Sequence, residues 1–152
     1  MINRVLFYNS GGGIGDSIQI LPLIETLKSE LVNAKFFYLT AHKNHFNSTL
    51  KDLNCNIDSL DFDVKYFGFR WWHALIIKNK IKKHNIETFD LIIDLQSKIR
   101  NSLILKILPH KYFVSSCLNF RLSKPSLEIK KHKKINTTIL SAINYILETN
   151  YQ

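Results

Sequence analysis

Apolar residues follow two rhythms along this chain. Arg4 to Asn9 (Arg-Val-Leu-Phe-Tyr-Asn) is a short, nearly continuous apolar run, which reads as the first strand. Ile14, Ile18, Leu21, Ile24, Leu27 and Leu31 then recur at helical spacing and predict a helix over Asp16 to Leu31. Pro22 falls inside it and must either kink the helix or mark a later start. Lys35 to Thr40 reads as a second strand, His45 to Leu53 as a short helix, and Asn56 to Asp61 as a third strand. A further short strand is expected at Val64 to Phe67. Trp71 to His84 has a helical pattern, with Trp72, Leu75, Ile76 and Ile81 expected inward and Lys78, Lys80, Lys82 and Lys83 outward. Trp71 and Trp72 are expected as core and interface aromatics. Asp90 to Gln96 is largely apolar, the kind of strand buried on both faces of a parallel sheet. Ser97 is a suitable cap for a helix over Lys98 to Leu108, which Pro109 would stop. Tyr112 to Ser115 reads as another strand and Asn119 to Lys134 as polar and irregular. A final helix carries Ile135, Ile139, Ile143, Ile146 and Leu147 on one face.

This β-α alternation predicts an α/β domain: a Rossmann-like, open, mostly parallel sheet with helices on both faces. A length of 152 residues fits one such domain, and neither an internal repeat nor a dividing linker interrupts it.

The segment between the first strand and the first helix stands apart. Four of the chain's five glycines lie within Gly11 to Gly15, and Asp16 follows them. A helix opening after a glycine turn points free N–H groups at whatever docks there. Asp16 is favoured at that position by the helix dipole, but it would repel a phosphate. Presentation of a carboxylate to a substrate is the stronger reading and phosphate cradling the weaker. A tight turn with no ligand is the plain structural alternative. A dinucleotide fingerprint needs G-x-G-x-x-G. In the three possible registers Asp16, Ile14 or Ile18 takes a position that needs glycine. No G-K-[ST] is present for a P-loop, and the second strand leads into Ala41-His42-Lys43 without the acid that binds a ribose.

Composition narrows the setting. Cys55 and Cys117 make neither a zinc set nor a disulfide framework, and the simple reading is a reduced, cytoplasmic protein. Met1-Ile2-Asn3-Arg4 leads straight into a strand, so no signal peptide is expected, and no apolar run approaches a membrane span. The histidines form no ligand pattern, and no metal is assigned. The net charge of +9 points to an anionic partner. The chain is also crowded with Ile and Asn, as an AT-rich coding bias would make it, and such a bias inflates lysine. Against 17 lysines the four arginines are the more informative cations, because a guanidinium grips carboxylates and phosphates bidentately. Arg4 reads as a surface charge, whereas Arg70, Arg100 and Arg121 are candidate ligand contacts. The run Lys130-Lys131-His132-Lys133-Lys134 reads as a solvated charged segment, with attraction to an anionic membrane surface as the second option. No nucleic-acid partner is expected, since the basic residues lack a recognised motif or aromatic interleaving.

Ligands of open α/β sheets bind outside the carboxyl ends of the strands. The first strand brings Gly12, Gly13, Gly15 and Asp16 to that edge. The Asp90 strand brings Asp94, Gln96, Lys98 and Arg100, and the Tyr112 strand brings Asn119 and Arg121. Asp94 is expected to bond loop amides at its strand end and to be structural. The rim as a whole suits a polar acceptor carrying negative charge.

Two stretches on this rim resemble a known family. Gly12-Gly13-Ile14-Gly15-Asp16, followed by Ile20-Leu21-Pro22-Leu23-Ile24, resembles the opening of glycosyltransferase family 9, the lipopolysaccharide heptosyltransferases. Phe89-Asp90-Leu91-Ile92-Ile93-Asp94-Leu95-Gln96 resembles that family's second signature, with Ser97 where the family has glycine. The resemblance covers nearly the whole chain and the N-terminal half of a typical member. It implies a GT-B architecture, in which residues 1–152 are the N-terminal acceptor-side domain and a C-terminal domain, expected to be absent here, binds the nucleotide sugar. It implies an inverting transferase that uses no metal or other cofactor, with ADP-heptose as co-substrate and lipopolysaccharide inner core as acceptor. Asp16 would be the general base. Gly12, Gly13, Gly15, Arg70, Gln96, Lys98, Arg100 and Arg121 are the candidate substrate contacts. The implied setting is cytoplasmic, with peripheral contact at the inner face of the cytoplasmic membrane. A non-catalytic Rossmann-like module binding an anionic glycan or a nucleotide is the alternative of a different class.

Overall fold

The computed structural model describes residues 1–53, 55–96, 98–129 and 134–152. Ser97 and most of the run 130–134 therefore lie outside the described residues. The elements, in chain order, are β1 (Arg4–Asn9), α1 (Ile14–Gln19), α2 (Leu21–Glu30), β2 (Lys35–Thr40), β3 (Asp58–Leu60), α3 (His73–His84), β4 (Phe89–Asp94), α4 (Ile99–Leu105), β5 (His110–Ser115) and α5 (Ile135–Leu147). The strands form one open, five-stranded sheet in the order β3-β2-β1-β4-β5. Every pairing is parallel. The expected α/β architecture is the one found.

The two central strands explain the apolar runs. Val5 to Tyr8 of β1 and Leu91 to Asp94 of β4 have no exposed surface, because both faces of the sheet are covered. Val5, Phe7, Leu91, Ile93 and Val114 face a layer built by α2 and α5, through Leu23, Ile24, Leu27, Ile139 and Ile143. Leu6, Tyr8, Ile92 and Phe113 face α3 and α4, through Ile77, Ile104 and Leu105. Each buried isoleucine or leucine contributes roughly 1.5–3 kcal/mol of transfer free energy, so α5 is held mainly by one apolar stripe.

Several expected elements change on folding. The single helix over Asp16 to Leu31 is two, α1 and α2, which meet at Ile20. Pro22 sits in the first turn of α2, where its missing N–H leaves no bond unmade. The buried stripe therefore starts at Ile20, and Ile14 and Ile18 remain exposed on α1. Val64 to Phe67 is not a strand, because Asp63 and Tyr66 adopt positive φ of 50° and 55°. His45 to Leu53 is a chain of turns with one 3₁₀ turn at Lys51–Leu53.

The largest correction concerns α3. Trp72, Leu75 and Ile76 do not point inward, and Trp71 and Trp72 are not core residues: all four are exposed. The buried positions are His73 and Ile77, with Ala74 and Ile81 partly covered. His73 fixes this rotation, since its Nδ1 accepts the Gly68 N–H at 3.2 Å.

Candidate functional site

In this strand order the chain leaves β1 towards β2 on one side and returns to β4 on the other. The carboxyl ends of β1 and β4 therefore flank the switch point of the sheet, where open α/β folds hold their ligands. Two segments meet there: the glycine turn after β1, and Leu95 and Gln96 after β4.

The turn is shaped around Asp16. Gly13 is the N-cap of α1 and Asp16 the third helical residue. The Asp16 Oδ2 accepts the Gly13 N–H at 3.3 Å, the returning half of a capping box. A Cβ on Gly11 would run into the Asp16 side chain, lying 2.6 Å from its Cγ and 2.9 Å from its Cβ, so only glycine leaves Asp16 in this position. Asp16 itself is exposed.

Asn9, the last residue of β1, ties the two segments together. Its Oδ1 accepts the Gly11 N–H at 2.9 Å and the Gln96 side-chain amide at 2.9 Å. Its Nδ2 donates to the Asp16 carbonyl at 3.2 Å. Gln96 is anchored in turn by donation of its backbone N–H to Asp94 Oδ1 at 3.0 Å. Asp94 has no exposed surface, so it is not part of the rim. Its Oδ2 accepts the hydroxyls of Ser115, at 2.8 Å, and Ser102. Burial pushes the Asp94 carboxyl up to about 6, against the opposing effect of the Ser102 and Ser115 hydroxyls and the Gln96 amide. The structural role expected for Asp94 is the one its bonds describe.

The cations gather on Phe69. Lys98 Nζ lies 5.0 Å and the Arg100 guanidinium 5.9 Å from the centre of its ring. Arg100 Nε also donates to the Gly68 carbonyl at 3.3 Å. Gly68 has φ of 88°, and a Cβ there would lie 2.7 Å from Tyr8 Oη, so glycine is what lets Phe69 approach α4. His42 links the two halves of the rim. It packs edge-on to Phe69 at 5.8 Å, and Gly12 lies against its ring. His45 donates from Nε2 to the Gly12 carbonyl at 3.2 Å. Beyond β2 and β3 the rim opens into a groove of about 770 Å³ lined by His42, Lys43, Asn44, Ser59, Lys65 and Tyr66, with two acids, Asp61 and Asp63.

The structure thus brings together Gly12, Gly13, Gly15, Asp16 and Gln96 through Asn9, and Lys98 and Arg100 through Phe69. Arg70 follows Phe69 directly, exposed, with its guanidinium 5.5 Å from the centre of the Trp72 ring. Arg121 is held apart from this network in an exposed ion pair with Glu128, with Nε 2.7 Å from Oε1. Sequence reasoning missed Asn9, His42 and Phe69. Asn9 carried a signal, a polar residue ending an apolar central strand immediately before the glycines. Phe69 carried none.

The fold is shared with solved glycosyltransferases. The E. coli heptosyltransferase WaaC, solved with ADP, aligns over 98% of this chain and 48% of its own, at 13% identity and a TM-score of 0.63. A family 9 glycosyltransferase from Veillonella parvula aligns over 93% of this chain and 40% of its own, at 16% identity and a TM-score of 0.64. The chain spans less than half the length of either protein. No protein-family model and no curated protein matches its sequence. Among the described residues no helix is long and apolar enough to cross a membrane.

Proposed function

We propose that this chain is the acceptor-side, N-terminal domain of an inverting GT-B glycosyltransferase, with Asp16 as its general base. The observation that carries the reading is the position of Asp16. It is an exposed carboxylate held at the switch point by Gly13, on a turn clamped by Asn9. In the proposed reaction the Asp16 carboxylate takes the proton of an acceptor hydroxyl while that oxygen attacks the anomeric carbon of the donor sugar. The glycosidic bond to the nucleotide breaks on the opposite face, and the configuration inverts. The donor is a nucleotide sugar of the ADP-heptose kind, held by a second domain. The acceptor is an anionic glycan of the lipopolysaccharide inner-core kind, whose charges meet Lys98 and Arg100, with Arg70 beyond them.

A second reading, a binding module without catalysis, is favoured by one observation. The rim of Lys98, Arg100 and Phe69 is assembled within this chain and needs no other domain to hold an anion.

Titration of the purified chain with inner-core oligosaccharide and with ADP-sugars tests the acceptor assignment. Heat of binding with the oligosaccharide and none with the ADP-sugars is the expected result. Binding of ADP-sugars alone would overturn it. Asp16→Asn, made in the complete enzyme, separates the two readings. Asparagine keeps an oxygen for the Gly13 N–H, so folding persists, while ADP release from donor plus acceptor should fall by at least about 10²-fold. Turnover near wild type would remove the base assignment.

A further inference from the structure

The outward face of α3 is divided in a way that neither the core nor the rim explains. At its start Trp71, Trp72 and Leu75 are 60%, 58% and 65% exposed, and Ile76 adjoins them at 36%. Further along the same face Lys78, Lys82 and Lys83 are exposed. The segment 70–84 contains five cations, Arg70, Lys78, Lys80, Lys82 and Lys83, and no acid. One acid reaches it from outside, Asp63, which pairs with Lys80 at 3.2 Å. Two adjacent indoles and two aliphatic side chains in water are costly unless something covers them.

Three occupants compete. A nucleic acid would use the lysines and leave the apolar half wet. A second copy across a two-fold axis would cover the apolar half but offer the exposed Lys78, Lys82 and Lys83 no acid from the same segment, 70–84, which contains none. A bilayer with anionic headgroups meets both halves at once. Indoles and a leucine enter the headgroup boundary, where tryptophan is enriched, while lysines beside them meet lipid phosphates.

We propose that α3 is a membrane-docking surface for an anionic bilayer, inserting Trp71, Trp72 and Leu75 at the interface and holding headgroups with Arg70, Lys78, Lys82 and Lys83. The inference shares only Arg70 with the transferase reading and uses none of Asp16, Lys98 or Arg100. It nevertheless bears on the site. Because α3 leaves the carboxyl end of β3, its apolar start lies at the same sheet edge as the glycine turn. Docking would hold the rim against the membrane surface, where a lipid-anchored acceptor presents its sugars.

The chain supplies its own probe, because Trp71 and Trp72 are its only tryptophans. Their emission should shift to the blue when the purified chain meets vesicles of mixed phosphatidylglycerol and phosphatidylcholine, and the chain should sediment with them. Phosphatidylcholine alone should give neither. Each cation at the surface is worth about fivefold in partitioning, so neutralising Lys78, Lys82 and Lys83 to glutamine should weaken binding on the order of a hundredfold. Trp71→Ser with Trp72→Ser, read by sedimentation, should reduce binding to background, with an unchanged urea midpoint as the control for folding. Sedimentation without an emission shift would overturn the assignment, because the contact would then lie elsewhere on the chain. So would absence of both signals, or a blue shift that follows protein concentration without vesicles and coincides with a dimer mass.

Discussion

Asp94 offers the most demanding test of the structure, because its burial has a sign and a size. Its carboxyl is pushed up to about 6 by burial, against an ordinary value near 3.8. A raised carboxyl means that the folded protein binds this proton more tightly than the unfolded chain does. Asp94 therefore makes folding most favourable below the unfolded value. That contribution is lost as pH rises, and the loss is complete once pH exceeds the folded value. A shift of this size corresponds to about 3 kcal/mol over the whole window. Between about pH 4.5 and pH 7, where urea titrations are practical, the loss should be about 2 kcal/mol.

Other groups titrate in the same range. Asp90 moves oppositely: burial raises it, but Lys111 and the backbone N–H groups of Asn3 and Arg4 more than offset this and hold it low. Its stabilisation is present above its unfolded value and lost as pH falls. Comparison with Asp94→Asn removes Asp90 and all other shared groups. The amide cannot ionise, yet it keeps an oxygen for Ser102 or Ser115. Urea midpoints for both proteins at the two pH values give the difference directly. The wild type should lose about 2 kcal/mol relative to the variant as pH rises through this range. Parallel pH profiles would refute the reasoning. So would the opposite sign, which would mean that the two hydroxyls and the Gln96 amide outweigh burial.

Other perturbations probe the scaffold of the rim. Asn9→Leu strips the acceptor from the Gly11 N–H and the Gln96 amide; it should cost about 2 kcal/mol in urea unfolding and loosen the turn. Gly11→Ala forces Asp16 away from its place; the fold should persist at a cost of about 1–2 kcal/mol, while oligosaccharide binding to the purified chain weakens. Gly68→Ala should cost about 3 kcal/mol from its positive φ and the collision with Tyr8 Oη. In a Tyr8→Phe background that cost should fall by about 1 kcal/mol, and strict additivity in the double-mutant cycle would contradict the proposed clash.

What was legible in the sequence was what periodicity encodes. β1 and β2 emerge with the bounds expected, because a buried parallel strand is an apolar run with polar ends. The helix face of α3 did not. Leu75, Ile76 and Ile77 are consecutive apolar residues, so several rotations bury an apolar stripe. The choice was made by a hydrogen bond from Gly68, which lies outside the helix. Val64 to Phe67 failed for a similar reason. Its composition suits a strand, but Asp63 and Tyr66 take positive φ, with the Asp63 N–H donating to Asp61 Oδ1 and the Tyr66 ring packed edge-on against His42, which lies far off in sequence. The candidate site was half legible. The glycines, Asp16 and Gln96 lie in contiguous motifs. Phe69 joins Lys98 and Arg100 only through a loop 30 residues earlier in sequence, placed there by Gly68 against Tyr8.

The opening conflict, an acid in a turn of the kind that binds anions, resolves into a division of labour across the crevice. A carboxylate and a ligand anion about 8 Å apart repel by about 0.5 kcal/mol in water and about 2 kcal/mol at the effective dielectric of a protein surface. That repulsion would drive a ligand's charge away from Asp16 and towards Lys98 and Arg100, which have no acid partner among the described salt bridges. A ligand seated in this way meets Asp16 with an uncharged polar group, of which a sugar hydroxyl is the natural example. The order of events can be separated by salt. Raised ionic strength screens the attraction to Lys98 and Arg100. If the division holds, oligosaccharide affinity should fall with salt in wild type and much less in Lys98→Gln with Arg100→Gln. Asp16→Asn should keep the wild-type salt dependence. Equal loss of salt dependence in the Asp16 variant would mean that acid and cations act on the same ligand group, and the division would fail.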